Sequence, residues 1–183
     1  HDRGSFIKDI ISDNIMLGDI YMRAKELRVT ADVPRGVFVI RSLKKGESVP
    51  TDVIQNLFPD RQNDFVLSIG EGDVVLIRQM PEGSNVKELN KIAAFIEETL
   101  RSGGESTVVV GIGTIAIHLR DLAKSYKEAQ IAIEVGKVFD TEKYVINYEN
   151  LGIGRLIYQL PMSLCEMFIH EVFGDEVPDI FNE

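Results

Sequence analysis

Phe65-Val66-Leu67-Ser68-Ile69-Gly70-Glu71-Gly72-Asp73-Val74-Val75-Leu76-Ile77 is the stretch that decides the fold. Two apolar, largely β-branched runs flank a glycine-bearing turn, which is the pattern of a β-hairpin. Working outward, Val86, Leu89, Ile92, Ala93, Ile96 and Leu100 recur at helical spacing, and Gly103-Gly104 ends that helix. Upstream, Val37-Phe38-Val39-Ile40 is a continuous apolar run and predicts a buried strand, with a short helix after Pro50. Downstream come a β-branched strand at 107–112, a long helix at 119–136 and a fifth strand at 144–148. The order is β-α-β-β-α-β-α-β, and a split β-α-β built around a hairpin is the ferredoxin-like signature. The expected class is α+β, with helices on one face of a mostly antiparallel sheet.

Helical patterns flank this unit. Two precede it, separated at Ser12-Asp13-Asn14 and stopped at Asp32-Val33-Pro34, where the residue before proline leaves the α region. Two amphipathic segments, 151–160 and 164–173, lead into an acidic end containing Asp175, Glu176 and Glu183. The expected division is a helical segment at 1–33, the α+β domain at 34–150 and a second helical segment at 151–183.

Composition narrows the function. Twenty basic against twenty-nine acidic residues leave a net charge of −9, which repels phosphate backbones and argues against direct DNA contact. Lys44-Lys45 and the scattered arginines form no basic stripe with interleaved aromatics. No apolar run approaches the roughly 20 residues that span a bilayer, and no basic-then-apolar leader opens the chain. A single cysteine, Cys165, excludes an internal disulfide framework, so a reducing, cytoplasmic interior is the expected compartment.

Candidate chemistry is sparse. Gly111-Ile112-Gly113-Thr114-Ile115-Ala116 fits the dinucleotide fingerprint G-x-G-x-x-A between a strand and a helix. The acidic ribose ligand expected about 20 residues later is missing at that spacing, so strand exit is the preferred reading. His118, His170, Cys165 and His1 show no metal-ligand spacing, and nothing around Cys165 activates its thiol. No catalytic residue, metal or cofactor is expected.

The long helix carries a resemblance. Ser125-Tyr126-Lys127-Glu128-Ala129, followed by Tyr148-Glu149-Asn150-Leu151-Gly152, resembles the "S-Y-x-E-A" helix and "Y-E-D-L-G" strand exit of the carbohydrate-diacid and purine-catabolism regulators. The bend from Leu27 to Arg35 is similar to that family's "L-x-(I/V)-x-x-D-x-P-R". The resemblance covers essentially the whole chain. It implies a bacterial transcription regulator whose middle domain is a degenerate relative of the GGDEF diguanylate cyclases. It also implies an effector-recognition domain upstream and a helix-turn-helix reader downstream, so 1–183 is expected to be a central segment. An active cyclase needs metal-binding carboxylates at the end of the first strand and in the hairpin turn. Arg41 stands at the first position; in the turn Gly72 replaces the aspartate, and Asp73 keeps one carboxylate. Gly103-Gly104-Glu105-Ser106 looks closer to the motif but lies in a helix-to-strand loop.

The resemblance thus implies a non-catalytic module that relays effector sensing to DNA binding and mediates dimerisation. A second reading is a sensor that clamps a sugar acid or nucleotide in the remnant cleft through Arg41 near Asp73; a third is a surviving nucleotide-processing enzyme. For the helix motif, the spacing predicts Tyr126 and Ala129 packed on the sheet and Glu128 solvated or paired with a neighbour. Tyr126→Ala is then expected to cost ~3 to 5 kcal/mol, Ala129→Leu ~1 to 3, and Glu128→Ala within roughly 0.5.

Overall fold

The computed structural model describes residues 2–138 and 143–152. The expectations for Cys165, His170, His1 and the segments beyond 152 lie outside the described residues. Two helices open the chain, α1 (Arg3–Ile11) and α2 (Leu17–Leu27). Asp2 caps α1 by accepting from the Ser5 amide, and Asp13 takes a left-handed conformation in the predicted break.

The sheet follows as β1 (Arg35–Ser42), β2 (Phe65–Ile69), β3 (Asp73–Gln79), β4 (Val108–Ile112) and β5 (Val145–Asn147). Helix α3 (Thr51–Leu57) lies between β1 and β2, α4 (Val86–Ser102) between β3 and β4, and α5 (Leu122–Val138) between β4 and β5. Spatial order is β2-β3-β1-β4-β5; the first four strands pair antiparallel and β5 joins β4 in parallel. The first four strands therefore have the ferredoxin-like order, and α5 with β5 extends it. Asn85 and Glu88 form a reciprocal capping box that starts α4 where the sequence places it. Gly70, with φ +62°, supplies the left-handed residue of the hairpin turn.

The expectation of helices on one face is corrected. Val37 and Val39 of β1, with Val75 and Ile77 of β3, face a core completed by α1, α2 and α5. Phe38 and Ile40, with Val74 and Leu76, face a second core completed by α3 and α4. The antiparallel register places Val37 opposite Ile77 and Phe38 opposite Leu76, so like-facing side chains pair across the strands. A strand whose every residue is apolar is one covered on both sides. The continuous run at 37–40 carried that information.

Candidate functional site

The four motif residues of α5 divide into two groups. Ser125, Glu128 and Ala129 are buried and hold the helix on the sheet. The Ser125 hydroxyl donates to the Thr114 carbonyl at 2.6 Å, while the Thr114 amide and hydroxyl both donate to Glu128 Oε1. Thr114, just past β4, is thus gripped from both sides. The backbone of α5 passes so close that a Cβ on Gly111 would lie 2.2 Å from the Ala129 carbonyl oxygen, and one on Gly113 would lie 2.1 Å from that of Ser125. The two glycines that imitate a nucleotide fingerprint are the receiving surface for the helix motif. Of the two alternatives the spacing left for Glu128, solvated or paired, the structure has the paired one, and the surface placement is corrected: the helix lies low enough on the strand exit to bury it.

Tyr126 is half-buried rather than fully packed, and it turns toward a cleft of about 350 Å³. That cleft lies where the end of β1 meets the β2–β3 turn, and it includes Arg41, Asp73, Glu71, Lys44 and Gln130. The structure does bring Arg41 and Asp73 together. Arg41 Nε donates to Asp73 Oδ1 at 3.1 Å and Nη2 to Oδ2 at 3.0 Å, a two-pronged bridge. Nη1 donates to Glu134 Oε1 of α5 at 2.8 Å. Hydrogen bonding to Asp73, reinforced by both acidic charges, raises the Arg41 pKa above its ordinary value. Burial, reinforced by Asp73, raises that of the Tyr126 phenol, with Arg41 opposing.

The cleft is crowded at the hairpin. The Val49 amide donates to the Gly72 carbonyl, and a Cβ on Gly72 would lie 3.3 Å from the Glu47 carbonyl oxygen. Space for a side chain at the turn is short. Among the described residues, no group of three or more His, Cys, Asp or Glu side chains is arranged to hold a metal ion. The donor set also does not suit divalent cations, because the first-strand position carries a guanidinium already bonded to the carboxylate of the turn.

Two further polar features lie at the opposite end of β1. His118 Nδ1 is 2.7 Å from Asp32 Oδ1, which gives that histidine a carboxylate neighbour. Arg35 is 2% exposed; it donates to the Thr30 carbonyl, yet its Nε and Nη1 have no partner among the described residues. Burial, reinforced by the charge of Arg3, pushes its pKa down to about 10. Sequence reading missed this buried arginine, because an Arg at the start of a strand looks like a surface residue.

Among the described residues, no helix is long and apolar enough to cross a membrane. No curated protein matches the chain with significant similarity. Comparison with family models, however, matches residues 13–135 to the GGDEF-like domain. That span runs from the break before α2 to near the end of α5, well over half of the chain, and it contains the hairpin, the Arg41–Asp73 bridge and the helix motif. The chain belongs to the GGDEF-like domain family.

Proposed function

We propose that this GGDEF-like domain is a non-catalytic module of a sugar-diacid-type transcription regulator, which relays effector sensing to a DNA-binding domain through self-association. The observation that carries the non-catalytic part is the Arg41–Asp73 bridge. It supports a structural use for the carboxylate that a cyclase would give to metal, and it links the hairpin turn to α5 through Glu134. An arginine between two acids is a poor clamp for an incoming carboxylate, since Asp73 and Glu134 already neutralise its charge and repel a further anion. The regulator part rests on the resemblance of the 125–129 helix and the 148–152 strand exit to the diacid and purine-catabolism regulators. DNA contact would belong to another domain of the full protein, as the net charge of −9 also suggests.

One experiment addresses both parts. The chain is incubated with GTP and Mg²⁺ or Mn²⁺, and the same sample is analysed by sedimentation velocity. The expected result is no cyclic dinucleotide and no GDP above a heat-killed control, with a dimer in the sedimentation profile. Product formation sinks the non-catalytic reading, and a monomer at high micromolar concentration sinks the self-association.

A further inference from the structure

A second cavity shares Arg41, Ser42 and Lys45 with that cleft, and its described lining residues carry a charge opposite to that of the chain. It encloses about 610 Å³ between α5, the end of β1 and strands β4 and β5. Val109, Ile133 and Ile146 form an apolar floor, and Lys45, Lys137 and Lys143 stand around it. No Asp or Glu is among its described lining residues, although acids outnumber bases twenty-nine to twenty in the sequence. The three lysines make no ion pair or side-chain hydrogen bond among the described residues, whereas Arg41 is bonded to Asp73 and Glu134. Like charges gathered with no acid among the described lining residues raise the local potential, and low-dielectric walls focus it. Gly136 lies in the wall of the cavity, so α5 places no side chain into it there.

We propose that this cavity binds a small organic acid with an apolar body, its carboxylate held by Lys45, Lys137 and Lys143 and its body resting on Val109, Ile133 and Ile146. The volume lies within the roughly 300–1,000 Å³ typical of small-ligand pockets. A fully hydrated, body-less anion would leave the floor unused, and a neutral apolar molecule would leave the lysines unneutralised. The match is to a molecule with both parts. Binding there does not depend on the relay role: an acid could bind whether or not the module belongs to a regulator.

The test is calorimetric titration of the whole chain with 3-phenylpropionate, with 3-phenylpropanol and inorganic phosphate in parallel. Saturable binding of the carboxylate is expected, ~10-fold or more tighter than either control, weakening as salt rises from ~50 to ~500 mM. Lys45→Gln/Lys137→Gln should weaken it ~10-fold while leaving the unliganded melting temperature unchanged, because both side chains are exposed. Ile133→Ser should weaken the carboxylate more than it weakens phosphate. No saturable binding up to ~10 mM, equal affinity in the lysine double variant, or phosphate binding as tightly as the carboxylate would each overturn the proposal.

Discussion

Glu128 and Tyr126 stand two positions apart on α5 and receive opposite environments. Glu128 accepts two hydrogen bonds from Thr114 in a site only 6% exposed. Removing the acceptor leaves a backbone amide and a hydroxyl without a partner, so Glu128→Ala is expected to cost ~1 to 3 kcal/mol, and Glu128→Gln less because an acceptor oxygen survives. Urea melts of the two variants check this; equal, negligible shifts would mean that the grip on Thr114 contributes nothing. Half-buried Tyr126 loses less area than a core ring, so Tyr126→Ala should cost about 1 to 2 kcal/mol, below the figure its spacing suggested. Asp64 provides a pH test. It is 6% exposed, accepts from the Gln79 amide and pairs with Arg78, yet burial outweighs both and raises its pKa above 3.8. In the range between the unfolded and folded pKa values the folded state holds more protons. Stability from this group therefore grows as pH falls through that range, and it is lost again as pH rises. Relative to Asp64→Asn, the wild type should gain stability on acidification from pH 7 toward 4; a parallel pair of stability curves would refute the burial account.

Docking of α5 on β4 depends on a match of two repeats. Four helical residues advance about 6 Å, and two strand residues advance about 6.6 Å. Gly111 meets Ala129 and Gly113 meets Ser125 four residues earlier, so the opposing steps stay in register as the helix runs back along the strand. A methyl group at 111 collides with backbone, which cannot rotate away. Gly111→Ala is accordingly expected to destabilise by about 3 kcal/mol, the upper end for overpacking, whereas Gly46→Ala adds its methyl in open space and pays only for its positive φ. Comparable midpoints for the two variants in guanidinium would refute the close approach. This contact also shows how far the sequence could be read. Elements were legible because periodicity is local: the hairpin at 65–77, the α4 cap at Asn85 and the breaks at 12–14 and 32–34 lie within a few residues of where they were expected. The partnership of Gly111-x-Gly113 with Ser125-x-x-x-Ala129 was not legible, because each half has its own local meaning and only the fold sets them opposite one another. The Arg41–Asp73 proximity could be inferred, since the hairpin turn and the end of β1 are neighbours in this topology. Glu134, ninety-three residues from Arg41, could not.

At the scale of the whole molecule, both sheet faces are covered among the described residues, so the proposed self-association is left the outer surfaces of helices and the edge strands β2 and β5. Among the described residues, three of the seven large exposed apolar side chains lie on α2 and its N-cap: Met16 at 78%, Leu17 at 57% and Met22 at 61% exposure. The inward residues of the same helix, Ile20 and Ala24, are buried against the sheet core; Leu17 stands one turn before Ile20 at the open start of that stripe, and Met22 lies on another side of the helix. Single exposed apolar residues are ordinary, but three within two turns make this segment the candidate contact surface for the self-association proposed above. A second copy suits it, because a two-fold interface brings the same patch against itself and needs no separate partner. The net charge of −9 opposes association at long range, so such a dimer should tighten as salt screens the repulsion, the reverse of the behaviour predicted for the lysine-lined cavity. Leu17→Glu and Met22→Glu each place a charge in that surface without touching the core. Each is expected to weaken dimerisation at least ~10-fold in sedimentation equilibrium while changing the melting temperature of the dilute, monomeric sample little. Dimers of undiminished affinity in both variants would move the interface away from α2, and dimers that loosen with added salt would contradict the charge argument.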